Sequence, residues 1–352
     1  IMPSLVGSEM CIRDRPNRPR SAHRRRHTDL MIRMATIGTS TITRNFLDAA
    51  TSVPEVSATT AYSRDPDRAA AFAAETGLAA SVADLDALLS SSEIDAVYVA
   101  SPNAIHGAQA LQAIRYGKHV LVEKPAVPTV SEFEALTDAA AHHDVVVLEA
   151  MRNVHDPAMA ALRALLPEIG TVRRASLAYC QRSARYDKVL AGERVNIFDP
   201  ALAGGALYDL GVYTIAAMVE LFGEPDRVTA TTVPIAGGAD GAGAALATFA
   251  GSVVDLSYSK ITASDRRNEI QGELATITFE HVAQPRYATV TWHDGTRTEH
   301  TFDGPANNMV HEIRRFAALI AGDADPAVDT ARTLAVLRTV ESIRASAAHR
   351  PK

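Results

Sequence analysis

His119-Val120-Leu121-Val122-Glu123-Lys124-Pro125 is the stretch that decides the fold. Three apolar residues, two of them β-branched, run straight into a carboxylate, an amine and a proline. A short apolar run with helical patterns on either side reads as a buried strand of a parallel sheet. In open α/β sheets the chemistry gathers just outside the carboxyl ends of the strands. Glu123 and Lys124 hold that position, and Pro125 lacks the donor that a further strand residue would need. A Glu-Lys pair at a strand end is more often a solvated ion pair of little energetic weight. The neighbouring strand ends have to decide between the two readings.

Upstream, residues 95–100 predict a strand that ends in Ser101-Pro102-Asn103, with His106 in the turn of the helix that follows over 105–116. Downstream, a helix over 130–142 leads to a strand at 145–148, ending at Glu149 with Arg152 just beyond. Three consecutive strand ends therefore present polar groups, which favours a site over a chance ion pair. Earlier still, the apolar run Ile32–Ile37 closes on Gly38, followed by Thr39-Ser40-Thr41-Ile42 and a helical pattern through Ala50. A strand, a tight turn and a helix N-terminus make an anion site, because free N–H groups and the helix dipole face the ligand. The dinucleotide fingerprint Gly-x-Gly-x-x-Gly is reduced here to Gly38, with Ser40 and Thr43 at its later positions. Small hydroxyl residues still permit close approach to a pyrophosphate.

The strand Val56–Tyr62 ends in Ser63-Arg64, about 20 residues past the glycine, where an acidic residue would hold the ribose of NAD. A guanidinium there pairs with a 2′-phosphate instead, so NADP is expected over NAD. Helices over Pro66–Thr76, closed by Gly77, and over 84–89 complete the alternation. Residues 31–153 thus predict an α/β Rossmann domain: a doubly wound parallel sheet of five strands with right-handed crossovers.

After Asn153 the alternation stops. Pro157–Leu165 reads as a helix, and 171–179 opens a β-rich region. Strands are expected at 228–233, 243–249, Ser252–Ser259, Ala275–Phe279 and 288–292, with Trp292-His293-Asp294-Gly295-Thr296 a hairpin signal. Residues 308–320 and 326–346 read as amphipathic helices. The expected second unit, 154–352, is a C-terminal α+β domain with a large open, mostly antiparallel sheet, its last helix packing back on the Rossmann part. Within it, 204–222 reads as one helix ended by Gly223 and Pro225, placing Asp209 and Tyr213 four residues apart on one face. A carboxylate beside a phenol is a proton-handling pair, or Asp209 accepts a hydrogen bond while Tyr213 packs in the core.

Bulk properties narrow the function classes. At 352 residues, 47% hydrophobic and 22% charged, the chain has the composition of a two-domain globular protein. No apolar run of membrane-spanning length is apparent, and a membrane role is not expected. Two cysteines, Cys11 and Cys180, fit a reducing cytoplasm and offer no zinc spacing, so no metal is expected. Residues 1–30 hold seven Arg against Glu9, Asp14 and Asp29, a balance of +4; the whole chain is −6, so residues 31–352 carry −10. An acidic body and a tail without aromatics argue against a nucleic-acid partner. The tail also resembles adapter-derived translation, and the expectation is a disordered or artefactual segment ahead of a true start at Met31 or Met34.

With Glu123-Lys124-Pro125, Ser101-Pro102-Asn103 and the 204–213 segment in this order, residues 31–350 resemble the Gfo/Idh/MocA oxidoreductases. The resemblance implies NADP or NAD in the Rossmann domain, a sugar or polyol pocket against the second domain, and a homodimer or tetramer formed through the open sheet. It implies a catalytic Lys124, a cis bond before Pro125 and an acid at Asp209. Tyr213 stands where many members carry His, as in the glucose–fructose oxidoreductase and dihydrodiol dehydrogenase subset. Residues 148–152 and 179–186 look similar to NADP-linked scyllo-inositol dehydrogenases.

The implied reaction moves a hydride between a carbinol carbon and nicotinamide while a proton leaves the hydroxyl. Tyr and Lys have ordinary pKa values near ~10 and ~10.4, so each needs its surroundings to act at neutral pH. Tyr213 is expected to exchange the proton while Lys124 holds the substrate oxygen, or the two roles are reversed. Arg152, His155, Tyr179 and Arg185 are candidate polyol contacts. The alternative is a catalytically silent cofactor-sensing regulator on the same fold.

Overall fold

The structure is a computed structural model and describes residues 31–348. The readings made on residues 1–30 lie outside the described residues. Six parallel strands form the first sheet: β1 (Ile32–Ile37), β2 (Val56–Tyr62), β3 (Ala80–Val82), β4 (Ala96–Val99), β5 (His119–Glu123) and β6 (Val147–Ala150), in the order β3-β2-β1-β4-β5-β6. This is the doubly wound arrangement, reversing direction between β1 and β4. The extra strand is β3, three residues at the sheet edge, two exposed and one half-buried, too short to leave a pattern. Helices α1 (Thr41–Ala50), α2 (Pro66–Thr76), α3 (Leu85–Ser90), α4 (Asn103–Arg115) and α5 (Val130–His143) are the crossovers. Strands β4 to β6 are buried along nearly their whole length, as a sheet covered on both faces requires.

Short helices α6 (Arg152–His155) and α7 (Pro157–Leu165) lead to the second sheet. Its strands are β7 (Val172–Cys180), β8 (Arg227–Pro234), β9 (Asp240–Phe249), β10 (Ser252–Ser259), β11 (Asn268–Gly272), β12 (Ala275–Phe279), β13 (Tyr287–Trp292) and β14 (Arg297–Thr301), in the order β14-β13-β12-β11-β7-β10-β9-β8. All its pairs are antiparallel except β7 with β10. Sequence pattern misses β11 and β14: Asn-Glu-Ile-Gln-Gly carries one apolar residue and Arg-Thr-Glu-His-Thr none. Along β10, Val254, Leu256 and Tyr258 are buried while Asp255 and Ser257 are not. One face thus packs on helices and the other carries ionic pairs such as Arg174–Asp255 at 2.6 Å.

Two further helices lie in the linker region and across the buried face: α8 (Tyr186–Leu190) and α9 (Val212–Phe222), the latter with eight buried residues. The expected single helix over 204–222 is in fact broken, with one π turn at Leu207–Gly211 feeding α9. Such turns often mark functional positions, because the extra residue re-aims side chains. Gly205, at φ +134°, precedes it; a Cβ there would lie 2.0 Å from the Asp240 carboxylate, whose other oxygen accepts from Leu207 N at 2.7 Å. The stretch Pro200–Phe222 does reach membrane-spanning length, with mean hydropathy 1.4, contrary to the reading from sequence. It is interrupted by that turn, and 78% of its apolar window is buried within the protein, so it is a core element.

Helices α10 (Met309–Ala321) and α11 (Ala327–Ala348) close the chain. Met309, Ile313 and Phe316 of α10 join the core that includes Phe46 of α1 and Tyr98 of β4. Helix α11 touches both sheets: Thr333 donates to Glu149 at 3.0 Å, Glu341 accepts from Val130 N at 2.9 Å, and Ser346 accepts from Ala230 N at 2.9 Å.

Candidate active site

The carboxyl ends of β1, β2, β4, β5 and β6 open onto one edge. At β1, the Ser40 N-cap makes no side-chain bond to a backbone N–H of α1, and α1 has no acidic residue in its first turn. Its side chain leans instead on Thr43, 3.5 Å away. A helix N-terminus left without a side-chain cap is an anion site. Thr39, Ser40, Thr41 and Ile42 line this end at intermediate to full exposure. Gly38 has a second part beside the one its sequence position suggests. At φ +123°, an added Cβ would meet the Ala100 carbonyl oxygen at 2.5 Å, so the glycine lets β1 close against β4. Ser63 and Arg64 follow β2, with Arg64 exposed.

At β4, the Ser101 hydroxyl is buried with no partner among the described residues, a free polar group facing the same edge. Pro102 sets the N-cap of α4. Asn103 turns towards the second sheet, donating to Ala203 O at 2.9 Å. His106 is buried and has no free ring nitrogen for a ligand: Nε2 lies 2.7 Å from Ser101 O and Nδ1 lies 2.9 Å from Pro125 O. It braces the β4 and β5 loops, and the cofactor contact expected of it is corrected accordingly. These features fit a dinucleotide along the edge: an uncapped helix end, a close glycine turn and an orphaned buried hydroxyl.

At β5, the Lys124–Pro125 bond is cis. Glu123 is buried, accepting from Tyr98 at 2.6 Å and from Lys124 N at 3.1 Å, so it fixes the lysine's backbone. Burial pushes its carboxyl up. The Lys124 ammonium donates to Asp209 Oδ1 at 2.8 Å and to Asp209 O at 2.9 Å. Burial is the largest single influence and would lower its pKa, but the Asp209 charge and hydrogen bond, with Tyr213 and Glu123, together outweigh it and hold the ammonium above the usual lysine range. The second carboxylate oxygen, Oδ2, is taken by Lys260, a residue that sequence reading missed. Burial acts to raise Asp209, yet the two ammoniums hold it well below the usual carboxylate range. Its side chain remains 37% open, so the carboxylate stands on a cleft wall.

No hydrogen bond joins Asp209 to Tyr213 among the described residues; both act on Lys124. Its Nζ is 5.0 Å from the Tyr213 ring centroid, and the Arg152 guanidinium is 5.5 Å from the same ring. Cations over an aromatic face are attracted by its quadrupole. Tyr179 packs against Tyr213 with centroids 5.6 Å apart, and His281, also missed, stacks edge-on to Tyr179 at 4.8 Å. Arg185 is exposed on the rim, where its charge acts on Lys260. His155 is not in this cluster. Burial lowers its pKa to about 3, and the charges acting on it belong to Asp329, Arg332 and Arg315 of the closing helices. The polyol contact expected of His155 is not met here: the charges acting on it are those of the closing helices, whereas Arg152 lies against Tyr213.

The signal for Lys260 was its place immediately after a buried strand, the position that singled out Lys124. It passed unnoticed because the antiparallel half carries no rule that chemistry gathers at one end.

The family model for an oxidoreductase family with an NAD-binding Rossmann fold matches residues 32–151, and the GFO/IDH/MocA C-terminal domain matches residues 159–278. The chain belongs to the Gfo/Idh/MocA oxidoreductases. Among curated relatives, scyllo-inositol 2-dehydrogenase (NADP(+)) IolU of Bacillus subtilis is 40% identical over 290 residues, 82% of this chain and 88% of that protein. D-xylose 1-dehydrogenase (NADP(+)) 2 of Haloferax volcanii is 29% identical over 323 residues, 88% of this chain and 96% of the relative. Among solved structures, a 3-ketoreductase from Actinomadura kijaniata in complex with NADP and TDP-benzene superposes with a TM-score of 0.81 at 25% identity, covering 90% of this chain and 97% of that one. Membership makes this chain an oxidoreductase built on a nicotinamide-binding sheet and a mostly antiparallel one.

Proposed function

We propose that this Gfo/Idh/MocA member is an NADP-dependent dehydrogenase acting on a CH–OH or C=O carbon of a sugar, inositol or related polyol. The observation that carries the reading is the Lys124–Asp209 ion pair beside the Tyr213 ring, at the carboxyl edge of the parallel sheet. Bound NADP supplies the nicotinamide that accepts or returns the hydride. Lys124 has three N–H donors, and Asp209 takes two of them. The third is left for the substrate oxygen. As the C–H electron pair leaves with the hydride, the O–H proton passes to the Tyr213 oxygen, which must enter the oxidative step as phenolate and leaves it as phenol, and a C=O bond forms; reduction runs the same path backwards, the phenol giving its proton to the carbonyl oxygen. Lys124 and Arg152 on either side of Tyr213 stabilise charge as the proton moves. Tyr179 and Arg152 line the substrate side, and Arg185 its rim. Residues Thr39 to Ile42 and Ser101 hold the pyrophosphate side, with Ser63 and Arg64 on the 2′-phosphate.

The relatives support this class: the Bacillus and Haloferax proteins are named as NADP-dependent dehydrogenases of an inositol and an aldose. We place a homodimer contact on the polar, uncovered face of the second sheet, to be checked by sedimentation velocity, and the protein in the cytoplasm. The deciding experiment follows reduced-nicotinamide absorbance with NADP and NAD against inositols, pentoses, hexoses and diols. Turnover with a member of this panel, faster with NADP, is the expected result. Tight NADP binding with no turnover on any of them overturns the reading.

A further inference from the structure

The turn between β12 and β13, residues 280–286, is held from three directions by buried amides. Asn268 of β11 donates to Glu280 O at 3.3 Å, Asn153 of α6 to Val282 O at 3.3 Å, and Asn308 ahead of α10 to Ala283 O at 3.0 Å. All three asparagines are fully buried. Asn153 also donates to Tyr213 O at 3.1 Å, so one side chain ties this turn to the backbone of the proton-carrying tyrosine. The Oδ1 atoms of Asn153 and Asn308 are buried without a partner among the described residues. Leaving a buried acceptor unpaired costs stability, and here the cost goes into fixing a connection of a kind that is ordinarily mobile. Val282 and Ala283 are wholly buried, and His281 only partly.

The His281 ring lies edge-on to Tyr179, which packs in turn on Tyr213, so it extends the wall on which Tyr213 and Arg152 stand. Ala283 N donates to His281 Nδ1 at 3.1 Å. Burial and then the Arg152 charge lower its pKa, against a smaller opposing pull from Glu280, so the ring is neutral near pH 7. With Nδ1 accepting, the proton of the neutral ring sits on Nε2. That N–H has no partner among the described residues and is not one of their sealed, unpaired atoms, so it opens on the cleft. We propose that His281 is a specificity-determining residue, its Nε2–H donating to a polyol hydroxyl remote from the carbon that exchanges the hydride. The inference rests on the dehydrogenase reading of the site. Lys124 and Tyr213 take the reacting oxygen, and Tyr179 touches both rings while His281 makes no ring contact with Tyr213 among the described residues. The hydroxyl that His281 meets therefore belongs to another carbon. This favours inositols and pyranoses, which carry hydroxyls across a ring, over two- and three-carbon diols. A neutral donor on a fixed turn suits a hydroxyl: it costs less to desolvate than a charge, and it is left unpaired by an analogue lacking that group.

The test uses the full-length protein loaded with NADPH, where a polyol binds but meets no oxidised nicotinamide. Dissociation constants of myo-inositol, D-xylose and their monodeoxy analogues are measured by isothermal titration for wild type, His281→Asn and His281→Gln. His281→Asn keeps an acceptor for Ala283 N where Nδ1 stood and removes the Nε2–H. His281→Gln carries an amide N–H out to the position of Nε2. The expected result is that His281→Asn weakens the better-bound parent polyol about tenfold, the worth of one hydrogen bond, and His281→Gln recovers most of the loss. One monodeoxy analogue, lacking the contacted hydroxyl, binds wild type and His281→Asn alike. Unchanged affinity for the parent in His281→Asn, or every analogue weakened as much as the parent, means packing against Tyr179 alone and overturns the proposal. Nitrogen NMR of the wild type, with His281 assigned by the signal lost in His281→Gln, serves if His281→Asn does not fold. There the Nε2 resonance moves when the polyol is added, and an unmoved resonance overturns the proposal. Polyol binding without turnover on NADP counts against the dehydrogenase reading alone; no binding of any polyol to the loaded protein overturns the proposal as well.

Discussion

Lys124 and Asp209, 85 positions apart in the chain, meet twice: once through the carboxylate at 2.8 Å and once through the Asp209 main-chain carbonyl at 2.9 Å. The second contact does not depend on the acid. The lysine's place is therefore set by the backbone of the π turn, and the carboxylate adds charge to a position already fixed.

Lys124→Met and Tyr213→Phe are expected to lower kcat by about 10²–10⁴-fold each, the usual span for losing a positioned proton donor or acceptor. Both variants retain NADPH binding, read by nicotinamide fluorescence, because neither side chain belongs to the uncapped end of α1. Tyr213→Phe with near-full turnover would assign the proton exchange to Lys124.

Arg64→Ser should weaken NADP binding by about 1.5–3 kcal/mol, the worth of a charge-assisted hydrogen bond, and leave NAD binding unchanged. Isothermal titration with both cofactors checks it. Equal losses for the two would remove Arg64 from the 2′-phosphate.

Gly38→Ala combines a left-handed backbone with a 2.5 Å approach to the Ala100 carbonyl. A strained residue of this kind costs on the order of 1–3 kcal/mol, and here β1 must also shift from β4. A clear drop in thermal midpoint with or without NADP is the expected outcome. A loss of cofactor affinity at unchanged stability would return Gly38 to the phosphate turn.

His155 is held neutral in the fold, with a pKa of about 3 because of burial, against ~6.5 in the unfolded chain. The unfolded state binds the extra proton between those values. Stability is therefore complete above pH ~6.5 and is lost on acidification by up to about 1.4 kcal/mol per pH unit. Urea midpoints measured from pH 7 to pH 4 should fall more steeply for the wild type than for His155→Gln. Parallel slopes would contradict it.

How far the residues announce this arrangement differs between the halves. Val120, Leu121 and Val122 belong to a sheet buried on both faces, so burial alone marks the strand, and Glu123 and Lys124 mark its end. Strand β14 at the edge of the second sheet needs no apolar residue, and β11 has only Ile270 on the core side. Lys260 and His281 sit where no local pattern distinguishes a site from a loop. Asp209 and Tyr213 were legible as a pair on one face, but the lysine on which both act, 85 positions before Asp209, was not legible as their partner. His155 stands three positions from Arg152, yet the charges acting on it come from the closing helices, which the sequence near it does not announce.

Helix α11 is bonded to Val130, Glu149 and Ala230, residues on both sides of the junction between the two sheets. It is the last of the described elements, yet it packs on the first sheet. A chimera that joins this nicotinamide-binding half to another relative's polyol half therefore inherits a foreign spine along its own sheet. The natural unit of exchange within such a lineage is discontinuous, residues 31–150 together with 327–348, and grafts that ignore the terminal helix should lose the cofactor half before they gain a new substrate.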